Sequence, residues 1–175
     1  MQTTMNKVLD RWNSLDSAAA AREALPCCGS QDWATSLASK RPIEDDASMI
    51  ELSSRIWLAL PEEAWQEAFD SHPRIGQKHA QTQTTDESLR WSAQEQRIAL
   101  SGDEAAKLAL AEANRRYEDR FGRIFIVCAA GKTSSEILAI LEARMNNDDS
   151  TELREAAEQQ RQITELRLRR WLESE

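Results

Sequence analysis

A short loop at residues 71–76, Ser-His-Pro-Arg-Ile-Gly, carries the side chain best suited to acid–base chemistry near neutral pH. An imidazole such as that of His72 can both take and give a proton in this range. Pro73 disfavours helical angles at His72 and stiffens the loop, and Gly76 permits a turn just beyond it. We predict that His72 is a catalytic acid or base. A histidine with purely structural hydrogen bonds fits the same pattern equally well, and His79 is interpreted as solvated.

A second set of polar side chains lies on a predicted helix that begins near Asp86. Ser92, Glu95 and Gln96 stand at positions i, i+3 and i+4, so they project from one face. A hydroxyl, a carboxylate and a carboxamide together would be unusual on a face packed against the core. A solvated helix face commonly carries such groups. Both interpretations stay open on spacing alone.

The last predicted helix contains four arginines, at positions 161, 167, 169 and 170. Arg167 follows Ile163 and Leu166 by four residues and one residue, so it borders the apolar stripe of that helix. From there its guanidinium can reach inward and hold an anion with two parallel hydrogen bonds. Arginines at such borders more often extend to solvent.

Two other kinds of site are disfavoured. Residues 131–133, Gly-Lys-Thr, resemble the end of a phosphate-binding P-loop, but that motif needs a glycine where Ile126 stands. Two histidines and three cysteines without a spaced cysteine pair supply too few ligands for a structural zinc ion. We therefore predict neither a P-loop nor a metal site.

The elements that position these residues are predicted to be almost entirely helical, because glycine (5) and proline (4) are scarce and apolar residues recur at helical spacing. Capping patterns mark helix starts at Ser101-x-x-Glu104, Thr133-x-x-Glu136 and Asp149-x-x-Glu152. They predict helices over residues 103–121, 136–145 and 152–171, the first ended by Gly122. Residues 71–85 form a long proline-bearing loop between helices, and such loops are often functional.

One segment departs from helical patterning. Residues 124–130, Ile-Phe-Ile-Val-Cys-Ala-Ala, form a short apolar run rich in β-branched residues and bounded by Gly122 and Gly131. No other segment reads as a strand, so this run is expected to cross the core without a sheet partner. Its buried N–H and C=O groups then need other partners, and a ligand can supply some of them. The predicted fold is a single all-α domain over 1–175 with one short extended core segment.

The overall composition limits the class of protein. A length of 175 residues suits one domain, and a net charge of −8 argues against a nucleic-acid binder. Cys27, Cys28 and Cys128 are an odd and sparse set that suits a reducing compartment. No apolar run approaches the roughly 20 residues of a membrane span. The first twelve residues are polar and amphipathic, unlike a signal peptide. A cytoplasmic location is expected.

Five motifs lie in order between about residues 25 and 172. They are Cys27-Cys28-Gly29-Ser30 with Trp33-Ala34 and Arg41-Pro42; His72-Pro73-Arg74-Ile75-Gly76; Trp91-Ser92-x-x-Glu95-Gln96; Tyr117-x-x-x-Phe121-Gly122-x-x-Phe125-Ile126-Val127-Cys128-Ala129; and Ile163-x-x-Leu166-Arg167-Leu168. In order and approximate spacing they resemble the OHCU decarboxylases, which act on 2-oxo-4-hydroxy-4-carboxy-5-ureidoimidazoline (OHCU). The chain departs from the family at residues 123–124, where an aromatic residue and often a proline are expected, and at residues 130–131, where many relatives have a bulkier residue.

The resemblance implies the helical fold of that family and decarboxylation of OHCU to (S)-allantoin in urate degradation. It implies no metal or organic cofactor, since the ring carbonyl and imine of the substrate can accept the electrons left by departing CO₂. The implied partner is the small-molecule substrate. Relatives are often homodimers, so a homodimer is a further expectation.

The resemblance also implies residue roles. His72 would move a proton to or from the substrate, Glu95 would orient or polarise that histidine and the substrate hydroxyl, and Arg167 would hold an anionic or carbonyl group. The remaining substrate contacts would come from Pro73, which packs against the substrate, from the side chains of Ser92 and Gln96, and from backbone groups of Phe125, Ile126, Val127, Cys128 and Ala129.

Two rival interpretations use the same residues. A helical adaptor would bind a partner helix through its acidic surface and arginine-rich last helix, with the His72 loop serving structure only. A hydrolase would use His72 and Glu95 to activate water. Ligand-induced stabilisation separates an enzyme from an adaptor, and release of CO₂ rather than ammonia separates the two reactions.

Overall fold

A computed structural model of the chain describes residues 6–77, 80 and 84–174. Over these residues the helices are α1 (Lys7–Asn13), α2 (Ser17–Ala24), a 3-10 turn (Leu25–Cys27), α3 (Gln31–Ser39), α4 (Asp46–Ala59), α5 (Glu62–Asp70), α6 (Asp86–Glu95), α7 (Arg97–Leu100), α8 (Glu104–Phe121), α9 (Ser134–Arg144) and α10 (Asp149–Glu173). Within the same residues no strand forms, and β-type pairing is limited to an isolated bridge between Pro73 and Ala80. The predicted all-α fold is confirmed.

The chain divides into two compact units. The first unit combines residues 1–67 with residues 161–175, and the second unit is the continuous stretch 68–160. Helices α5 and α10 each pass from one unit into the other. The single domain over 1–175 stays a prediction.

The core of the first unit is built around buried tryptophans. Trp12 donates its indole N–H to the Ala20 carbonyl at 2.9 Å, and Trp33 donates to the Ser53 hydroxyl at 3.2 Å. Each large ring therefore removes apolar area from water while its one polar atom keeps a partner. In the last helix, Trp171 packs edge-on against Trp12 with ring centroids 5.9 Å apart.

In the second unit, helices α8 and α9 pack against the segment 124–129, which has neither helix nor strand structure. Tyr117 lies at the centre, with ring centroids 4.7 Å from Phe121 and 5.1 Å from Phe125. Aromatic pairs at these separations add to the energy of burial. The cluster consists of Ala99, Leu110, Ala113, Tyr117, Phe121, Phe125, Val127, Ala129, Ile137 and Leu141.

The predicted helix over 103–121 forms as Glu104–Phe121 and ends at Gly122, whose φ of +71° favours glycine. Its predicted start at Ser101 is wrong. The Ser101 hydroxyl donates to the Ile98 carbonyl at the end of α7, and Asp103 caps α8 instead by accepting from the Ala105 N–H. A serine that closes one helix is not available to begin the next.

The other two predicted helices are confirmed with small shifts of their ends. Thr133 caps α9 by accepting from the Glu136 N–H, as its capping pattern predicts. Helix α10 begins earlier than predicted, at Asp149, because Asp148 accepts from the Thr151 N–H at 2.7 Å. None of the helices among the described residues is long and apolar enough to cross a membrane.

Candidate active site

The backbone at His72 is held by the end of α5. The His72 N–H donates to the Phe69 carbonyl at 3.1 Å, and the Ser71 hydroxyl donates to the Ala68 carbonyl at 2.6 Å. Pro73 follows directly and is buried. His72 itself is only 7% exposed, so the structure holds an imidazole inside the protein rather than on a solvated loop.

The imidazole of His72 meets a glutamine of α10. Its Nε2 atom lies 2.6 Å from Oε1 of Gln160, whose side chain is fully buried. A carboxamide oxygen can only accept a hydrogen bond, so Nε2 of His72 is the donor in this contact. The ring is therefore oriented by a neutral partner.

The rest of the loop is held by two further contacts. Arg74 grips the Glu118 carboxylate with its Nε at 2.9 Å and one terminal nitrogen at 2.7 Å, so this arginine ties the loop to α8. The Gly76 N–H donates to Oε1 of Gln96 at 3.0 Å, at a φ of +90° that favours glycine. His79, interpreted as solvated from the sequence, lies outside the described residues.

The polar face of α6 points inward. Ser92, Glu95 and Gln96 are all buried, whereas Ala93 and Gln94 between them are exposed. The interpretation of this face as solvated is therefore wrong, and the alternative of an inward-facing polar stripe is confirmed. Thr85 caps the helix by accepting from the Ser88 N–H at 3.1 Å, as expected for a helix that begins near Asp86.

Side chains of the protein form hydrogen bonds with several backbone N–H and C=O groups of the segment 124–129. The Ile126 carbonyl accepts from Arg144 at 2.7 Å, the Cys128 N–H donates to Gln159 at 2.9 Å, and the Cys128 carbonyl accepts from Lys132 at 2.8 Å. The segment therefore has hydrogen-bond partners within the protein for some of its backbone groups, so a ligand is not needed for all of them.

Arg144 also joins a buried ionic cluster beneath this segment. Its guanidinium donates to Oε1 of Glu152 at 2.8 and 2.5 Å and lies 4.5 Å from the centre of the Phe125 ring. The Tyr117 hydroxyl donates to the same carboxylate oxygen at 2.5 Å, and Asn147 donates to the other at 3.1 Å. Burial and the bond to Glu152 raise the pKa of Tyr117.

Arg167 belongs to the first unit and is fully buried. One terminal nitrogen donates to the Pro26 carbonyl at 3.0 Å, so the guanidinium turns inward rather than extending to solvent. Nearby, burial raises the pKa of the Cys28 thiol to about 12, and a hydrogen bond with Thr164 opposes that shift. At this pKa Cys28 is a neutral packing residue and not a nucleophile.

Sequence reasoning missed Gln159, Gln160 and the Arg144–Glu152 pair. Glu152 is the last residue of the predicted capping pattern Asp149-x-x-Glu152, and a capping role implies an exposed side chain rather than a buried charge. A usable signal existed for Gln160, because Gln160, Thr164 and Arg167 recur at helical spacing on the apolar side of α10. Within the described part of the chain, no group of three potential metal ligands comes together.

The fold and these contacts define an all-helical protein with an enclosed histidine and a buried Ser–Glu–Gln face. The family model for OHCU decarboxylase matches residues 13–169. The chain therefore belongs to the OHCU decarboxylase family.

Individual relatives agree with this assignment. The chain is 38% identical to the uric acid degradation bifunctional protein TTL of Arabidopsis thaliana over 81% of its own length, but it spans only 44% of that longer protein. It is 30% identical to the OHCU decarboxylase of Xenopus laevis, covering 70% of this chain and 71% of the frog protein. A crystal structure of OHCU decarboxylase in the presence of (S)-allantoin is 33% identical, with a TM-score of 0.75 over 87% of this chain and 98% of that one.

Proposed function

We propose that the chain is a carboxy-lyase that converts OHCU to (S)-allantoin without a cofactor. The observation that carries this proposal is the buried His72, oriented by Gln160, in a chain that belongs to the OHCU decarboxylase family. An enclosed histidine can deliver a proton to one face of a bound carbanion, and this control of the face would make the product a single enantiomer.

In the proposed reaction, the bond between the carboxylate and its ring carbon breaks and CO₂ leaves. The ring carbonyl and imine of the substrate take up the electron pair, so no external electron sink is required. The carbon that lost CO₂ becomes a ring carbonyl as His72 accepts its hydroxyl proton. His72 then delivers that proton to one face of the neighbouring ureido-bearing carbon, and the imine nitrogen takes a proton from solvent. Glu95 orients His72 and the substrate hydroxyl, and Arg167 holds an anionic or carbonyl group.

The remaining contacts would bind the ring and the ureido group. Gln96 already accepts from Gly76 through its oxygen, so its NH₂ group is the one that would donate to substrate. Ser92 would add a hydroxyl and Pro73 an apolar contact. The N–H of Cys128 is donated to Gln159. We therefore assign the N–H contacts of the segment to Phe125, Ile126, Val127 and Ala129.

The test follows freshly generated OHCU by circular dichroism, because spontaneous decay competes with the enzyme and gives no preferred enantiomer. We expect the protein to release CO₂ and accumulate (S)-allantoin. His72→Ala is expected to return the reaction to its spontaneous rate with unchanged far-ultraviolet dichroism. Its free energy of unfolding should fall by about 1–3 kcal/mol, because Gln160 loses a buried partner.

Racemic product at the uncatalysed rate from the wild-type protein would overturn the proposal. Ammonia released in place of CO₂ would indicate a hydrolase instead. Retention of near-wild-type turnover by His72→Ala would remove His72 from the mechanism.

A homodimer and a cytoplasmic location complete the proposal. Large apolar side chains exposed on the second unit, with Leu108 at 71% and Ile98 at 41%, support association with another copy. Among the described residues, Cys27, Cys28 and Cys128 form no disulfide, as a reducing compartment favours. Sedimentation and cell fractionation test the two points separately.

A further inference from the structure

Two successive glutamines of α10 hold two different parts of the proposed active site. Gln159 accepts from the Cys128 N–H at 2.9 Å, and Gln160 accepts from Nε2 of His72 at 2.6 Å. Gln160 is fully buried, so bulk water cannot replace the hydrogen bonds of its side chain. Polar groups in such positions are kept paired because an unmet bond in the interior is costly.

We propose that Gln160 determines which ring nitrogen of His72 carries the proton in the neutral imidazole. The carboxamide oxygen accepts from Nε2, so Nε2–H is the stabilised tautomer and Nδ1 is the nitrogen that exchanges a proton during the reaction. The role of Nδ1 rests on the proposed function, whereas the tautomer itself does not. Gln160 is thus a positioning residue that acts through His72.

The backbone on both sides of His72 is restricted, and the contact with Gln160 adds a restriction on the ring. The His72 N–H is bonded to the Phe69 carbonyl, and Pro73 restricts the residue before it. The contact between Nε2 and Gln160 further restricts the side-chain torsions of His72. Because Gln160 is neutral, it orients the ring without the charge that an aspartate partner uses to stabilise an imidazolium.

Nitrogen-15 NMR can test the tautomer directly, because the chain has only two histidines. In the His79→Asn background, the two imidazole nitrogens of His72 give the only histidine side-chain signals. At a pH where the ring is neutral, we expect Nε2 to show the shift of a protonated nitrogen and Nδ1 that of an unprotonated one. Protonation at Nδ1 in this otherwise unaltered protein would overturn the proposal.

Substitutions then separate positioning from packing. Gln160→Met keeps the volume but removes the acceptor, so the two nitrogen shifts should move toward each other as both tautomers become populated. Gln160→Glu keeps an acceptor and should keep Nε2 protonated. The matched control is Gln94→Met, which makes the same change at an exposed position of α6 and should leave the spectrum unchanged. An unchanged spectrum in Gln160→Met would also overturn the proposal.

Kinetics provide the second readout. Gln160→Met is expected to lower kcat by about 10-fold or more, because the misdirected ring transfers protons poorly, while KM changes by no more than about two-fold. Gln94→Met should match the wild type. A protein with the Nε2–H tautomer but no decarboxylase activity would refute the proposed function alone. An active decarboxylase with the Nδ1–H tautomer would refute this inference alone. If Gln160→Met fails to fold, the spectrum of the Gln160-containing protein still decides.

Discussion

Glu95 is buried although its side chain is acidic. It is the last residue of α6 and is only 7% exposed. Acidic side chains are almost never fully buried unless they are paired, so a buried glutamate on the same face as Ser92 and Gln96 is unusual for a purely structural helix. This placement supports a functional role for Glu95 independently of the family motif.

We expect Glu95→Gln to lower turnover on the order of 100-fold, because the amide can no longer accept as a carboxylate or orient His72 as strongly. The matched control is Glu87→Gln, which makes the same change in the first turn of the same helix. Initial rates on fresh OHCU, together with the enantiomeric excess of the product, provide the measurement. Small and equal effects of the two substitutions would show that Glu95 is not part of the machinery.

At the scale of single residues, helical spacing alone could not predict which polar side chains are buried. The spacing of Ser92, Glu95 and Gln96 shows that they share a helix face, but it does not show that this face is buried. The family motif resolved that ambiguity. Gln160 could not be found in this way, because its partner His72 lies 88 positions away and a single glutamine in a long polar helix has no local signature.

Among the structural elements, the segment 124–129 depends most on distant side chains. Arg144 binds its Ile126 carbonyl and pairs with Glu152, and both charged residues are buried. A buried pair contributes little net energy against an apolar replacement, but removing one partner strands the other charge. The segment therefore depends in part on this ion pair.

We expect Arg144→Met to lower the free energy of unfolding by about 3–5 kcal/mol, because Glu152 would remain buried without its guanidinium. Arg116→Met is the matched control, since Arg116 pairs with Glu142 and both side chains are about half exposed. This control should cost less than about 1 kcal/mol. Urea denaturation of both variants measures the difference, and comparable losses would show that the buried pair does not support the core.

The helices themselves could largely be predicted, since caps and apolar periodicity are local signals. The start of α9 followed from Thr133, and the end of α8 followed from Gly122. The start of α8 was misplaced because Ser101 and Asp103 are both good capping residues, and only the packing of α7 decides between them. Local chemistry identifies a helix better than it identifies its first residue.

At the scale of the whole molecule, ligand binding separates an enzyme from a helical adaptor. (S)-allantoin should raise the melting temperature of the protein, because a ligand that binds only the folded state stabilises it by mass action. The gain is about 2.7 kcal/mol when the ligand is present at about 100 times its dissociation constant. Differential scanning fluorimetry against (R)-allantoin provides the control. Equal responses to both enantiomers, or none, would contradict a stereospecific site.

The all-α class of the molecule followed from composition and periodicity, but its division into units did not. The first unit combines residues 1–67 with residues 161–175. Within it, Arg167 donates a hydrogen bond to the Pro26 carbonyl, 141 positions away in the sequence. No pattern within a window of one or two helices reports such a contact. Helical spacing showed only that Arg167 could reach inward, and the family resemblance assigned it an inward-facing role.

The same contact has a consequence for biosynthesis. Residues 6–67 leave the ribosome about a hundred positions before residues 161–174, whereas the second unit is continuous in sequence. At a synthesis rate of about 5–20 residues per second, Arg167 and Trp171 are made several seconds after the helices around Pro26. During that interval the faces that will receive these side chains are uncovered. The second unit can finish folding first, and the first unit, although part of it is made earlier, is completed later.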